Sequence, residues 1–147
     1  MVSLKSASDA ARLPARAAYG VRLAVALALV ATILRLAGMH RTRRFLWRFA
    51  RPAGERGVSE ASARAFAARV DAVANRMPIR PRCLARSLLV AAFLRRWNMP
   101  AELVIGVLPG RSFAAHAWVE RDGQPLNDTA DIALRYRPIW RVRTLDA

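Results

Sequence analysis

The period of the hydrophobic residues changes at Pro100, and this change limits the possible folds more than any other feature of the sequence. Before Pro100, apolar residues recur at helical spacing. The clearest helical stripe comprises Phe66, Val70, Val73 and Met77. After Pro100, the residues alternate as they do in strands, over 102–107, 113–120 and 136–142. Helices that precede strands in this way predict an α+β fold, with a small antiparallel sheet against a helical layer.

The length of 147 residues is enough for one domain and too short for two, so we expect a single domain over residues 1–147. Within it, residues 1–50 form a basic helical segment with nine basic residues and one acidic residue. The whole chain has 25 Lys and Arg against 10 Asp and Glu, a net charge of +15. No nucleic-acid recognition motif accompanies this charge and the arginines are spread along the chain, so we expect no nucleic-acid partner.

The most apolar part of the front segment is a run of twelve uncharged residues, 23–34, between Arg22 and Arg35. A membrane-spanning helix needs about 20 such residues, so the run predicts a buried or interfacial helix. We therefore expect a cytoplasmic protein and keep contact with a membrane surface as an alternative. Four arginines then lie beside aromatic residues within 41–49, which fits either a solvated helix face over an aromatic anchor or a site for an acidic partner.

The supply of cysteine and histidine limits the kinds of site that the chain can build. A single cysteine excludes an intramolecular disulfide, and His40, Cys83 and His116 lack the spacing of zinc ligands, so we expect no metal and no cofactor. Cys83 follows Pro81 by two residues, at the start of a predicted apolar helix, where free backbone N–H groups favour a thiolate. Position alone does not make it a nucleophile, because a free cysteine is usually a small buried apolar residue.

A nucleophilic cysteine needs a base, and His116 lies within the predicted strand 113–120. A lone histidine in a strand is more often a structural residue than a base, so whether His116 is a base depends on the residues next to it. Residues 121–123 have the composition of a three-residue turn, with glycine at the left-handed position. Such a turn would pair Glu120 with Gln124.

The register of this hairpin determines which carboxylate can orient His116. With the three-residue turn, Asp128 lies directly opposite His116 and on the same face. With a two-residue turn, Asp128 lies opposite Ala117 on the other face, and Asp131 becomes the next candidate. We expect the first arrangement. A cysteine, a histidine and a carboxylate then supply the nucleophile, base and orienting group of acyl-transfer chemistry.

The local sequences around these residues resemble a known family. The segments are 81–88, 105–107, 113–120 and 136–138. They are similar to the lasso-peptide leader peptidase family, the transglutaminase-like maturation proteins of lasso-peptide gene clusters, which include the microcin-processing type. The motifs Cys-Leu-x-Arg-Ser-Leu and Ala-His-Ala-Trp-Val-Glu are the specific part, and the resemblance covers about 77–142.

The resemblance implies a papain-like or transglutaminase-like fold and a thiol protease that cleaves the leader peptide from a ribosomally made lasso-peptide precursor. It implies that 77–142 is the catalytic core and that Cys83, His116 and Asp128 are the catalytic residues. The partners would be the leader of the precursor, a separate leader-recognition-element protein and the lasso macrolactam synthetase. Two alternatives stay open: a transglutaminase-like acyl transferase, and a basic non-catalytic adaptor that binds a membrane surface or nucleic acid.

Overall fold

The computed structural model describes residues 5–53, 58–110 and 114–146, and side chains from Ala17 onward within these ranges. It confirms the predicted α+β class. The elements in chain order are α1 (Lys5–Phe49), α2 (Glu60–Arg76), α3 (Cys83–Arg96), β1 (Glu102–Val107), β2 (Ala115–Arg121), β3 (Gln124–Pro125), α4 (Ile132–Arg135) and β4 (Arg137–Arg143).

The helices begin and end where local chemistry allows. Gly38 has φ 74° and ψ 172°, which are not helical values, so it kinks α1. Ser59 caps α2, because its hydroxyl accepts a hydrogen bond from the Ser62 N–H at 3.1 Å. Helix α2 ends at Arg76 because Met77 precedes Pro78, and the residue before a proline avoids the helical conformation.

Helix α3 lies at the centre of the fold and is apolar nearly all round, as the sequence predicts. It contacts α1, α2, β1 and β2. Its buried residues are Ala85, Ser87, Leu88, Leu89, Val90, Ala91, Ala92 and Leu94. The single polar residue among them, Ser87, is fully buried and therefore needs hydrogen-bond partners.

The aromatic cluster at the end of α1 combines a buried anchor with a solvated basic face. Trp47 is buried, and the guanidinium groups of Arg43 and Arg95 each lie 5.8 Å from its ring centroid. Arg44 and Arg48 are exposed. Trp47 is therefore the aromatic anchor of this cluster, and the exposed arginines are compatible with both interpretations.

The sheet has the order β3-β2-β1-β4, and all of its pairs are antiparallel. Strand β1 has the predicted bounds. Strand β2 begins at Ala115, since Ala114 is not part of it, and ends one residue beyond the predicted end; Phe113, the predicted start, lies outside the described residues. The four-residue helix α4 was not predicted, because so short an element shows no period.

The prediction of a three-residue turn between β2 and β3 is wrong. Arg121 pairs with Gln124 and Glu120 with Pro125, so Asp122 and Gly123 alone form the turn. Their φ values are 50° and 75°, as a type I′ turn requires at both central positions. Aspartate tolerates the left-handed conformation, and this turn matches the right-handed twist of the strands better than the predicted one.

Candidate active site

Cys83 is the first residue of α3, as predicted. The residue before it, Arg82, is extended and its side chain does not cap the helix. Arg86, one turn into α3, donates a hydrogen bond from Nε to the Pro81 carbonyl at 2.9 Å and so holds the connection that leads into the helix. Cys83 is a free, half-buried cysteine, and it lines the adjoining cavity.

His116 and Asp128 form a direct contact, despite the error in the predicted register. The distance between His116 Nε2 and Asp128 Oδ2 is 2.5 Å. The other carboxylate oxygen of Asp128 accepts a hydrogen bond from the Thr129 N–H at 2.8 Å. Because Asp128 occupies Nε2, the imidazole keeps Nδ1 for exchange of a proton with a nucleophile.

Asp128 reaches His116 because the chain after β3 leaves the regular antiparallel hydrogen-bonding pattern with β2. The Leu126 N–H still donates to the Val119 carbonyl at 2.8 Å, as the observed register requires. The reciprocal Val119 N–H does not bond to the backbone but donates to Asn127 Oδ1 at 2.7 Å. The chain therefore leaves the sheet at Asn127, and Asp128 turns toward His116 instead of facing Ala117. Asp131, the other candidate, is exposed at the start of α4.

Ser87, on the helix that begins with Cys83, forms hydrogen bonds with β2 and with Asn127, the residue at which the chain leaves the sheet. Its hydroxyl donates to the Ala117 carbonyl at 2.9 Å and accepts from Asn127 Nδ2 at 3.0 Å. One buried side chain thus joins α3, the strand that carries His116 and the loop that carries Asp128. Sequence reasoning missed Ser87 and Asn127, although a serine inside an apolar helix was an available signal.

Aromatic rings enclose the imidazole of His116. The Trp118 ring is stacked on it with centroids 6.2 Å apart and planes 20° apart, and the Tyr136 ring lies at 5.2 Å. Gly106 pairs with His116 across β1 and β2. A Cβ at this glycine would lie 2.9 Å from the Trp118 ring and 3.0 Å from Tyr136 Cβ, so the rings occupy the space that a side chain would need.

A buried carboxylate fixes the indole of Trp118. Trp118 Nε1 donates to Glu120 Oε2 at 3.0 Å, and Glu120 is buried with only 4% of its surface exposed. Arg141 on β4 pairs with Glu120 and also with Glu102, at 3.0 Å for the latter. The pairing of charges makes the burial of Glu120 tolerable, and the indole is held by its hydrogen bond.

Cys83, His116 and Asp128 line one cavity of about 470 Å³. Its wall also includes Asp71, which accepts a hydrogen bond from Arg86 at 3.3 Å. Burial raises the pKa of Asp71 above its ordinary value, and the bond to Arg86 opposes that rise. Within the residues that the structure describes, no group of three or more His, Cys, Asp or Glu could hold a metal ion.

A second, larger cavity of about 750 Å³ lies between α1 and the connection that leads into α3. Its wall is mostly apolar, with side chains such as Leu34 and Met77, and it includes the guanidinium-bearing residues Arg35, Arg80 and Arg82. The sequence neighbours of Cys83, namely Pro81, Arg82, Leu84 and Ala85, contribute to it, whereas Cys83 itself lines the first cavity. An apolar groove with basic residues suits a peptide segment that carries apolar and acidic side chains.

Residues 23–141 match the family model described as the transglutaminase-like superfamily. Neither a curated protein nor a solved structure matches the chain. The matched range includes all three residues that meet at the first cavity and most of α1.

Proposed function

Because the chain belongs to the transglutaminase-like superfamily, which supports a cysteine protease or acyltransferase-like activity, we propose that it is a thiol protease that removes the leader peptide from a lasso-peptide precursor. The observation that carries the proposal is the bond between His116 and Asp128 at the cavity that Cys83 also lines. This is the arrangement of a nucleophile, a base and an orienting carboxylate.

In the proposed reaction, His116 Nδ1 takes the proton of the Cys83 thiol as the sulfur attacks the scissile carbonyl carbon. The tetrahedral intermediate collapses when His116 returns the proton to the leaving amine and the C–N bond breaks. A thioester remains on Cys83. Water, deprotonated by His116, hydrolyses the thioester and releases the carboxylate of the leader, which restores the thiol. Asp128 keeps the imidazole oriented and stabilises its protonated form.

The first turn of α3 is the candidate source of oxyanion donors. The N–H groups of Ala85 and Arg86 bond to the Arg82 carbonyl at 3.1 and 3.3 Å. The N–H groups of Cys83 and Leu84 precede them at the positive end of the helix, where a developing oxyanion is stabilised. We assign the first donor to the Cys83 N–H.

The preference for a lasso-peptide leader is supported by the sequence motifs around Cys83 and His116, and the second cavity offers a surface that suits a leader segment. In this proposal a separate recognition-element protein presents the leader, and the trimmed core passes to a macrolactam synthetase. The reaction takes place in the cytoplasm, where thiols stay reduced.

The test begins with a search of the neighbouring genes for a short precursor reading frame and a recognition-element gene. It then measures cleavage of that precursor peptide by the purified chain together with the recognition-element protein. Mass spectrometry should detect free leader and core with wild-type protein and neither with Cys83→Ala or His116→Ala. His40→Ala, at an exposed histidine of α1, is the matched control and should cleave normally. Cleavage by a folded Cys83→Ala variant would overturn the proposal.

A trapping experiment distinguishes a protease from an acyl transferase. Both form the same thioester on Cys83, but a transferase passes the acyl group to an amine. Addition of a primary amine at millimolar concentration should leave hydrolysis as the main outcome for a protease. Product in which the amine has replaced water throughout would favour the transferase.

A further inference from the structure

One side of α1 packs against the core and the opposite side exposes aliphatic residues to solvent. Leu23, Leu27 and Val30 are buried. On the other side, the exposed fractions are 63% for Val21, 53% for Val25, 58% for Leu29 and 83% for Leu36. At about 100° per residue these four lie within an arc of about 80°, so they form one continuous stripe, which we call the α1 stripe.

Basic residues border the α1 stripe. Arg22 and Arg35 are exposed and fall on its two edges by the same helical spacing. Past the kink at Gly38, Arg41, Arg44 and Arg48 are also exposed. No aspartate or glutamate occurs between residues 10 and 54, so every charged side chain of this part of the chain is basic.

The α1 stripe offers almost nothing that a hydrogen-bonding partner could recognise. The polar residue within the same arc of the helix is Thr32, whose hydroxyl donates to the Ala28 carbonyl at 2.8 Å within the helix. The stripe has no tryptophan or tyrosine, the residues that usually anchor protein interfaces. A convex aliphatic surface without free polar groups is suited to hydrocarbon, which requires no hydrogen bonds in return.

By length and composition, the segment Ala17–Phe49 could cross a membrane, with a mean hydropathy of 2.0 in its most apolar window. Only 17% of that window is buried, but the buried residues Leu23, Leu27 and Val30 belong to the same core as α2 and α3. A helix that keeps these contacts cannot have lipid all round it. The orientation that preserves the fold is parallel to the membrane surface, with one face in the bilayer and the other on the protein.

We propose that the α1 stripe docks the protein on the surface of an anionic bilayer. The aliphatic side chains enter the boundary between headgroups and acyl chains, and the arginines at the edges of the stripe bind the phosphates of acidic lipids. Leu29 and Leu36 line neither cavity, although Arg35 at the edge of the stripe also lines the second one. Vesicle binding is measured without a precursor peptide, so its outcome does not depend on the proposed protease activity.

The experiment is flotation of the full chain with vesicles of phosphatidylcholine alone and of phosphatidylcholine with 30 mol% phosphatidylglycerol, about 100 nm in diameter. Wild-type protein should float with the anionic vesicles, and 0.5 M NaCl should lower the bound fraction because salt screens the arginines. Leu29→Asp should lower the partition coefficient at least tenfold. Leu36→Asp, at the most exposed position of the stripe, should do the same.

Leu134→Asp is the matched control, because Leu134 is 90% exposed on α4 and lies outside the stripe. It should bind like the wild type. The variants change exposed residues, and circular dichroism should show that each is folded. The proposal is overturned if wild-type protein stays with the unbound fraction, or if folded Leu29→Asp and Leu36→Asp float as well as the control. It is also overturned if the wild type self-associates and Leu29→Asp makes it monomeric, since the stripe is then a protein interface.

Discussion

Replacement of Asn127 by alanine tests whether the departure of the chain from the sheet positions Asp128. The variant loses the bond from the Val119 N–H and the bond to Ser87, each of which contributes about 0.5–1.5 kcal/mol net. It also leaves the N–H of fully buried Val119 without its partner, which costs about 1–3 kcal/mol. Because Asn127 is only half-buried, water can enter its place and form hydrogen bonds with some of the groups left without a partner, which lowers the cost. We therefore expect a loss of about 2–3 kcal/mol in the free energy of unfolding.

Urea denaturation followed by tryptophan fluorescence measures this loss, which corresponds to a decrease in Tm of about 4–12 °C for a chain of this size. Thr129→Ala is the control in the same loop, because its exposed hydroxyl makes only surface contacts, with Asp128 at 3.5 Å and with Asp131, while its N–H keeps the shorter bond to Asp128. It should change stability by less than about 0.5 kcal/mol.

The same variant should lower turnover more than its effect on stability explains. In folded Asn127→Ala, Asp128 is no longer directed at His116, so kcat for precursor cleavage should decrease at least about tenfold. Cys83 is the only cysteine, so its alkylation by iodoacetamide, followed by mass spectrometry, gives a second readout without the precursor. If Asn127→Ala keeps both the urea midpoint and kcat of the wild type, Asn127 does not position the site.

Three further expectations concern other parts of the site. Asp128→Asn should lower kcat at least about tenfold, while Asp122→Asn, at a turn residue whose side chain is 87% exposed, should leave it unchanged; equal effects would contradict the assignment. Gly106→Ala should lower the free energy of unfolding, measured by urea denaturation, by about 1–3 kcal/mol, because the new Cβ would collide with the Trp118 ring and with Tyr136 Cβ. Gly20→Ala, where nothing lies within 4 Å, should be neutral or stabilising by up to about 1 kcal/mol. Glu120→Gln should lower stability by about 1–3 kcal/mol, measured the same way, because it weakens a buried ion pair; no change would mean that the pair is not important for the fold.

Much of the architecture follows from short-range patterns in the sequence. Helix α3 and strand β1 could be predicted because their residues repeat with one clear period over several turns or alternations. The position of Cys83 at a helix start follows from Pro81 and the apolar run after it. The α4 helix could not be predicted, because four residues are too few to show a period.

The pairing of His116 with Asp128 could be anticipated as a combination of residue types, but the reason given for it was wrong. The turn has two residues, and in a regular ladder of that register Asp128 would face Ala117. The contact exists because Asn127 replaces a backbone partner of Val119 and binds Ser87, which lies 40 residues earlier in the chain.

The sequence by itself therefore determined the longer helices and strands, their order and the candidate nucleophile, because these depend on residues close together in the chain. Only the tertiary structure decided which carboxylate reaches the histidine, how Glu120 is buried against Arg141 and which side of α1 remains exposed. Each of these depends on a group supplied by a distant element: Ser87 from α3, Arg141 from β4, and the core that covers one face of α1. Local propensity carries no information about such partners, since their energies arise only when the elements pack together.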